Sequence, residues 1–239
     1  MPNNKTSNTL NLVFVWSKNI RLFHWLNVLC VFLLICIGLI ILNGKALGIT
    51  NDGKVLLKTC HVLIGYIFCI NLLFRIVLGF FGTGFERWGK TLAFNKGFVA
   101  ELKAHKQETV KHYQGHNPIG KLMVTAMLMA LSVQMVTGLV IAGTDIYYPP
   151  LGGYFKEQIA IDNTQVESIK PYSKENVDAE KYQQMRDLRS PYITMHVYSF
   201  YLLLLLIPLH IVGVIYTERK ERSSITSAMI SGYKTLPKD

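Results

Sequence analysis

The sequence predicts an all-α integral membrane protein, a four-helix bundle carrying one long external loop with some helix. Three observations predict it. The apolar residues are gathered into four long runs. Those runs are almost free of charge, although the chain has a formal net charge of +10. The polar stretches between the runs differ in the sign of their charge excess.

Leu22 to Leu42 carries no formal charge, Val62 to Phe81 carries only Arg75, and neither Leu122 to Ala142 nor Val197 to Tyr216 carries any. Each run is about 20 residues, and a helix rising ~1.5 Å per residue then covers the ~30 Å hydrocarbon core. Spans are expected at about 21–42, 60–82, 120–143 and 193–217, within a single membrane domain over 1–239 and with the external loop at 144–191. Half of the residues are hydrophobic and 17% are charged, which argues against an ordinary soluble domain. No small-residue cleavage site follows the first run, so it reads as a retained helix rather than a removed signal.

Placement of charge sets the orientation. The segment between spans two and three holds seven Lys/Arg against three acids, and the tail after span four holds five against three. The segment between spans three and four reverses this, with six basic against eight acidic residues. The positive-inside rule puts both termini in the cytoplasm. The basic excess thereby has a topological cause, and no nucleic-acid partner is expected. Cys30, Cys36, Cys60 and Cys69 form no CxxC or CxxCH motif, so covalent haem, a zinc knuckle and a thiol redox pair are unsupported.

Two polar segments interrupt the spans. The first predicts a short amphipathic helix around Phe94 to His105. The second opens on the turn-rich Tyr147 to Gly153 and predicts a polar helix over Lys174 to Arg189. Nearly 50 residues is long for a connector, so docking, capping and a plain solvated loop all stand as readings.

Of seven histidines, His105, His112 and His116 fall in polar sequence and are expected at the solvated surface. His24, His61, His196 and His210 fall in or beside the spans, where ionisable groups are costly and face a partner. His196 and His210 are 14 residues apart, close to four turns, so they share a face about 21 Å apart along the axis. A di-iron site would need ligands about one turn apart. The spacing suits two haems stacked across a bilayer. Alternation of the spans then pairs His61 with His196 at the outer depth and His24 with His210 at the inner depth. Each pair is an axial bis-histidine set of the kind used for electron transfer.

Counting 14 positions from His24 reaches Gly38, and counting 14 from His61 reaches Arg75. Gly38 and Gly65 could clear a helix surface for a porphyrin or could serve close helix packing. Arg75 could meet a haem propionate or snorkel to the inner surface.

These residues resemble those of the bacterial di-haem cytochrome b group, which includes the b-type membrane subunit of nickel–iron hydrogenases and the cytochrome b-561 proteins. The matching stretches are Val15 with Arg21-Leu-Phe-His24-Trp25, His61-Val-Leu-Ile-Gly65-Tyr66 with Arg75, Gly115-His116-Asn117-Pro118-Ile119-Gly120, Thr137-Gly138, His196 through His210, and Met229-Ile-Ser-Gly232-Tyr233-Lys234. The resemblance covers nearly the whole chain except about 145–190. It implies two haem b groups ligated by His24, His61, His196 and His210, in a bacterial inner membrane. It further implies electron exchange between a periplasmic redox protein (a hydrogenase, dehydrogenase or c-type cytochrome) and quinone. A quinone would sit near Arg21, Arg75 or the His112 to Asn117 stretch. A stand-alone oxidoreductase of the superoxide or ferric reductase type, acting at the outer haem, is the alternative.

Overall fold

A computed structural model describes residues 10–107 and 112–237. Among these, four helices are long and apolar enough to cross a membrane. They are α1 (Lys18–Leu42), α2 (Asn51–Phe81), α5 (Pro118–Asp145) and α7 (Ala179–Glu221). Shorter helices α3 (Trp88–Thr91) and α4 (Phe98–Lys106) lie between α2 and α5, α6 (Gly152–Ile159) follows α5, and α8 (Ile225–Ser231) follows α7. The protein is a multi-pass helical membrane bundle, and the outward Leu, Ile and Phe side chains of α1 and α7 are exposed as lipid-facing residues would be.

Helix starts follow from local chemistry. Ser17 Oγ accepts from the Ile20 amide at 3.3 Å and caps α1. Asn117 Oδ1 accepts from the Gly120 amide at 2.7 Å, and Pro118 supplies the first helical residue of α5, where a missing amide costs nothing. Asp178 Oδ1 accepts from the amides of Glu180 and Lys181, both at 3.0 Å, so α7 begins well before its apolar run. Gly232, with φ of 91°, closes α8 in the left-handed conformation that glycine adopts freely.

Packing divides the chain into two compact units, and each long helix gives a segment to both. The first unit comprises 1–25, 73–129 and 203–239. Its buried cluster is Val15, Trp16, Ile20 and Ala228, with Val13, Leu78, Phe85 and Met229 against it. This unit holds an element that the hydrophobic pattern does not foretell. Strand β1 (Leu10–Phe14) pairs antiparallel with β2 (Tyr233–Pro237), Leu12 facing Thr235, and the amides of Val15 and Trp16 extend the ribbon onto the Gly232 carbonyl.

The second unit comprises 26–72 and 130–202. Its polar segment is folded around a core of its own: Tyr147, Ile159, Ala160, Ile169, Val177 and Met185, with Phe155, Val166 and Tyr182 packed on it. Arg189 Nη1 donates to Asp145 Oδ1 at 2.7 Å and to the Thr144 carbonyl at 2.9 Å, while Lys58 pairs with the other Asp145 oxygen. The Tyr66 hydroxyl donates to the Pro149 carbonyl at 2.5 Å. The segment therefore folds on an apolar cluster of its own rather than running as an extended connector.

Candidate functional site

In the second unit, His61 of α2 and His196 of α7 face one another with ring centroids 6.4 Å apart and planes at 69°. An imidazole nitrogen sits about 2 Å from a bound transition metal. Two rings that each offered one nitrogen to a shared ion would have centroids roughly 6 Å apart on that geometry. The observed spacing fits.

Three residues of α5 hold His196 in place. The Thr137 hydroxyl donates to the Val133 carbonyl at 2.6 Å, so its one hydrogen is used. Its 2.9 Å contact with His196 Nδ1 therefore requires the imidazole to donate. That fixes the tautomer and leaves Nε2 with the lone pair a metal needs, the usual arrangement around a ligating histidine. Gln134 Nε2 donates to the His196 carbonyl at 2.9 Å. Gly138 stands beside the ring: a Cβ there would lie 3.4 Å from His196 Cε1. Gly38 of α1 does the same for the other imidazole, 3.5 Å from His61 Cε1. Nothing lies within 4 Å of where a Cβ on Gly65 would stand. His61 Nδ1 is buried without a protein hydrogen-bond partner.

In the first unit, His24 of α1 and His210 of α7 lie close enough to act on one another electrostatically. His24 Nδ1 is also buried and without a hydrogen-bond partner, and its ring meets the Trp25 indole edge-on at 5.1 Å. Among the described residues no group of three or more His, Cys, Asp or Glu could hold an ion together. The candidate sites are thus pairs of histidines, which suit a metal that brings its remaining ligands with it.

Arg75 is buried, and the protein itself surrounds it. Nη1 donates to the Glu86 carbonyl at 3.0 Å, Nη2 to Thr91 Oγ1 at 3.4 Å, and the guanidinium stacks on the Trp88 indole at 4.2 Å. Trp88 fits because Gly79 has no side chain; a Cβ there would overlap the indole. The Glu86 carboxylate turns the other way, accepting from Ser17 Oγ at 2.5 Å, the Thr83 amide at 2.8 Å and Asn19 at 3.4 Å. Burial alone would raise its pKa, but those hydrogen bonds together outweigh burial and hold it below the usual range. Arg21 donates to the Ile230 carbonyl and Trp25 Nε1 to the Met229 carbonyl at 2.9 Å.

One expectation is corrected here. His116 is not a solvated surface group: it is partly buried, with its ring 4.8 Å from the Trp16 indole. Burial first, then the nearby His210, Lys234, Arg75 and Lys121, pushes its pKa down to about 4. The Asn117 cap and Pro118 turn the chain back over Trp16 at this point. Thr137, Gln134 and Gly138 are the site residues that spacing missed. The Thr-Gly pair near the end of span three was their only signal.

The family model described as prokaryotic cytochrome b561 matches residues 15–232. The chain belongs to that family. Its relatives include proteins called probable Ni/Fe-hydrogenase B-type cytochrome subunit. The one from Rhodobacter capsulatus is 24% identical, over 95% of this chain and 83% of its own length. Those from Bradyrhizobium diazoefficiens and Cupriavidus necator are 25% and 22% identical, over 92% and 95% of this chain and 85% and 89% of their own. No solved structure matches significantly. As a membrane b-type cytochrome, the family member described here transfers electrons.

Proposed function

We propose that this cytochrome holds two b-type haems, one between His61 and His196 and one between His24 and His210, and carries electrons between a redox protein and the quinone pool. The observation that carries the reading is the 6.4 Å separation of the His61 and His196 rings. A haem with two imidazole ligands supplies a one-electron change at iron with no open position for substrate. The protein's part is then to hold and shield. Thr137 and Gln134 fix the His196 ring, Gly38, Gly65 and Gly138 leave room beside the imidazoles, and Arg75 braces the segment over Glu86 to Thr91. Arg75 keeps further guanidinium donors for a propionate oxygen.

The printed names of the relatives support a nickel–iron hydrogenase as partner. In this reading both termini are cytoplasmic, in the bacterial inner membrane. The donor docks on the face built from residues 144–191, and quinone is used beside the His24–His210 pair, near His116 and Asn117. The test is pyridine haemochrome quantitation on the purified chain. It should give two b haems, falling to one in His61→Ala and in His24→Ala. One haem in the wild-type chain, or two in every histidine variant, would overturn the ligand assignment.

A further inference from the structure

The first two turns of α1 carry a stripe that the histidine pairs do not account for. Lys18, Arg21, Leu22 and Trp25 stand at i, i+3, i+4 and i+7, so they share one face of the helix. Met229 and Ile230 at the end of α8 form the opposing wall, and together these six residues line an open groove of about 360 Å³. Its shape is fixed by two hydrogen bonds already described, Arg21 to the Ile230 carbonyl and Trp25 to the Met229 carbonyl.

The groove is graded along its length. Two cations stand at its mouth, where α1 emerges from polar sequence. Deeper in, Leu22 (65% exposed), Ile230 (66%) and Trp25 (47%) present apolar surface outward. No acidic residue lines it, the first turn of α1 contains none, and among the described residues no carboxylate pairs with Lys18 or Arg21. The Glu86 carboxylate, which reaches the start of α1, is engaged with Ser17, Asn19 and Thr83. The amide end of α1 adds partial positive charge at the same mouth. A buried Arg21 Nε without a hydrogen-bond partner adds a second, independent sign that the guanidinium's bonding is incomplete.

We infer that this groove is a binding site for one anionic phospholipid. The phosphate is held by Lys18 and Arg21, and an acyl chain lies along Leu22, Trp25 and Ile230. A phosphodiester carries a full negative charge that the two cations match, whereas a neutral quinone head would gain only hydrogen bonds from them. The exposed indole sits at the depth where tryptophan collects in membrane proteins. Each basic residue at an anionic headgroup contributes about fivefold in affinity, equivalent to ~1 kcal/mol.

Native mass spectrometry of the full-length, haem-loaded protein tests this, using delipidated material offered equal amounts of phosphatidylglycerol and phosphatidylcholine of matched chains. The expected result is one retained lipid, phosphatidylglycerol over phosphatidylcholine by fivefold or more. Lys18→Gln, on an exposed side chain, should cut that preference about fivefold. Arg21→Gln, accepted only if its haem spectrum is unchanged, should cut it at least as far. Equal retention of the two lipids, or a preference undiminished in Lys18→Gln, overturns the assignment. Displacement of the retained lipid by inorganic phosphate would make the groove a simple anion site, and displacement by a quinone would make it a quinone site; either result also overturns it.

Discussion

The two histidine pairs differ in how they are built. Around His61 and His196, the protein supplies what a ligating imidazole needs: a fixed tautomer from Thr137, a held backbone from Gln134, and glycines beside both rings. In the unit that holds His24 and His210, structural effort goes instead into a scaffold of charge and aromatic rings, with Arg75 on Trp88, Glu86 on Ser17 and His116 on Trp16. The first pair is held by residues immediately beside its rings. The second depends on a surround assembled from distant stretches of chain. Binding at the first site should therefore respond to single-atom changes near the ring, and binding at the second to damage in the scaffold.

The largest effect should come from filling the space beside His196. Gly138→Leu should abolish haem binding at the proposed His61–His196 site, whereas Gly138→Ala, whose Cβ would make an ordinary 3.4 Å contact, should retain it by haemochrome assay. Arg75→Ala should come next. It strips donors from the Glu86 carbonyl and Thr91 and the cation from Trp88, and should lower stability in denaturant titrations by ~3 kcal/mol. Arg75→Lys should recover little of that loss, since an ammonium cannot make the same forked and stacked contacts. Thr137→Val should weaken haem retention at the His61–His196 site by about tenfold, with the other haem unaffected. A comparable loss at both sites would break the contrast drawn above.

The smallest effect should be a pH dependence confined to the scaffold. His116 titrates near 4 in the folded protein and near its ordinary value when unfolded. Between those values the unfolded chain binds the extra proton, so this contribution is complete above about 6.5 and declines as pH falls towards 4. Thermal unfolding across that range should show a downward trend that His116→Phe flattens. An identical slope in the variant would remove His116 as its source.

Much of the fold was legible because membranes make certain residues expensive. Four apolar runs with a single charge among them could be little else, and four histidines near them demanded a shared explanation. Pairing by depth needed only the alternation of spans. What could not be read depends on contacts between distant positions. Nothing in Leu10–Phe14 announces that it pairs with Tyr233–Pro237, and Gly79 is meaningful only once Trp88 is known to lie on it. Thr137 and Gln134 look like ordinary polar residues of a span until His196 is placed beside them. His116 misled because polar neighbours suggested solvent, while the Asn117–Pro118 helix start turns it onto Trp16. The apolar residues of the 144–191 segment lack a helical or alternating period, so their common core was invisible before folding.

The terminal ribbon carries a consequence of parity. Two strands joined edge to edge by backbone hydrogen bonds occupy the same aqueous compartment, so the polypeptide between them must traverse the bilayer an even number of times. Four crossings meet that condition, and three or five do not, whatever the hydropathy of any one segment. Reporter domains fused at either terminus should accordingly give the same answer, and one inserted near Ile161 the opposite one.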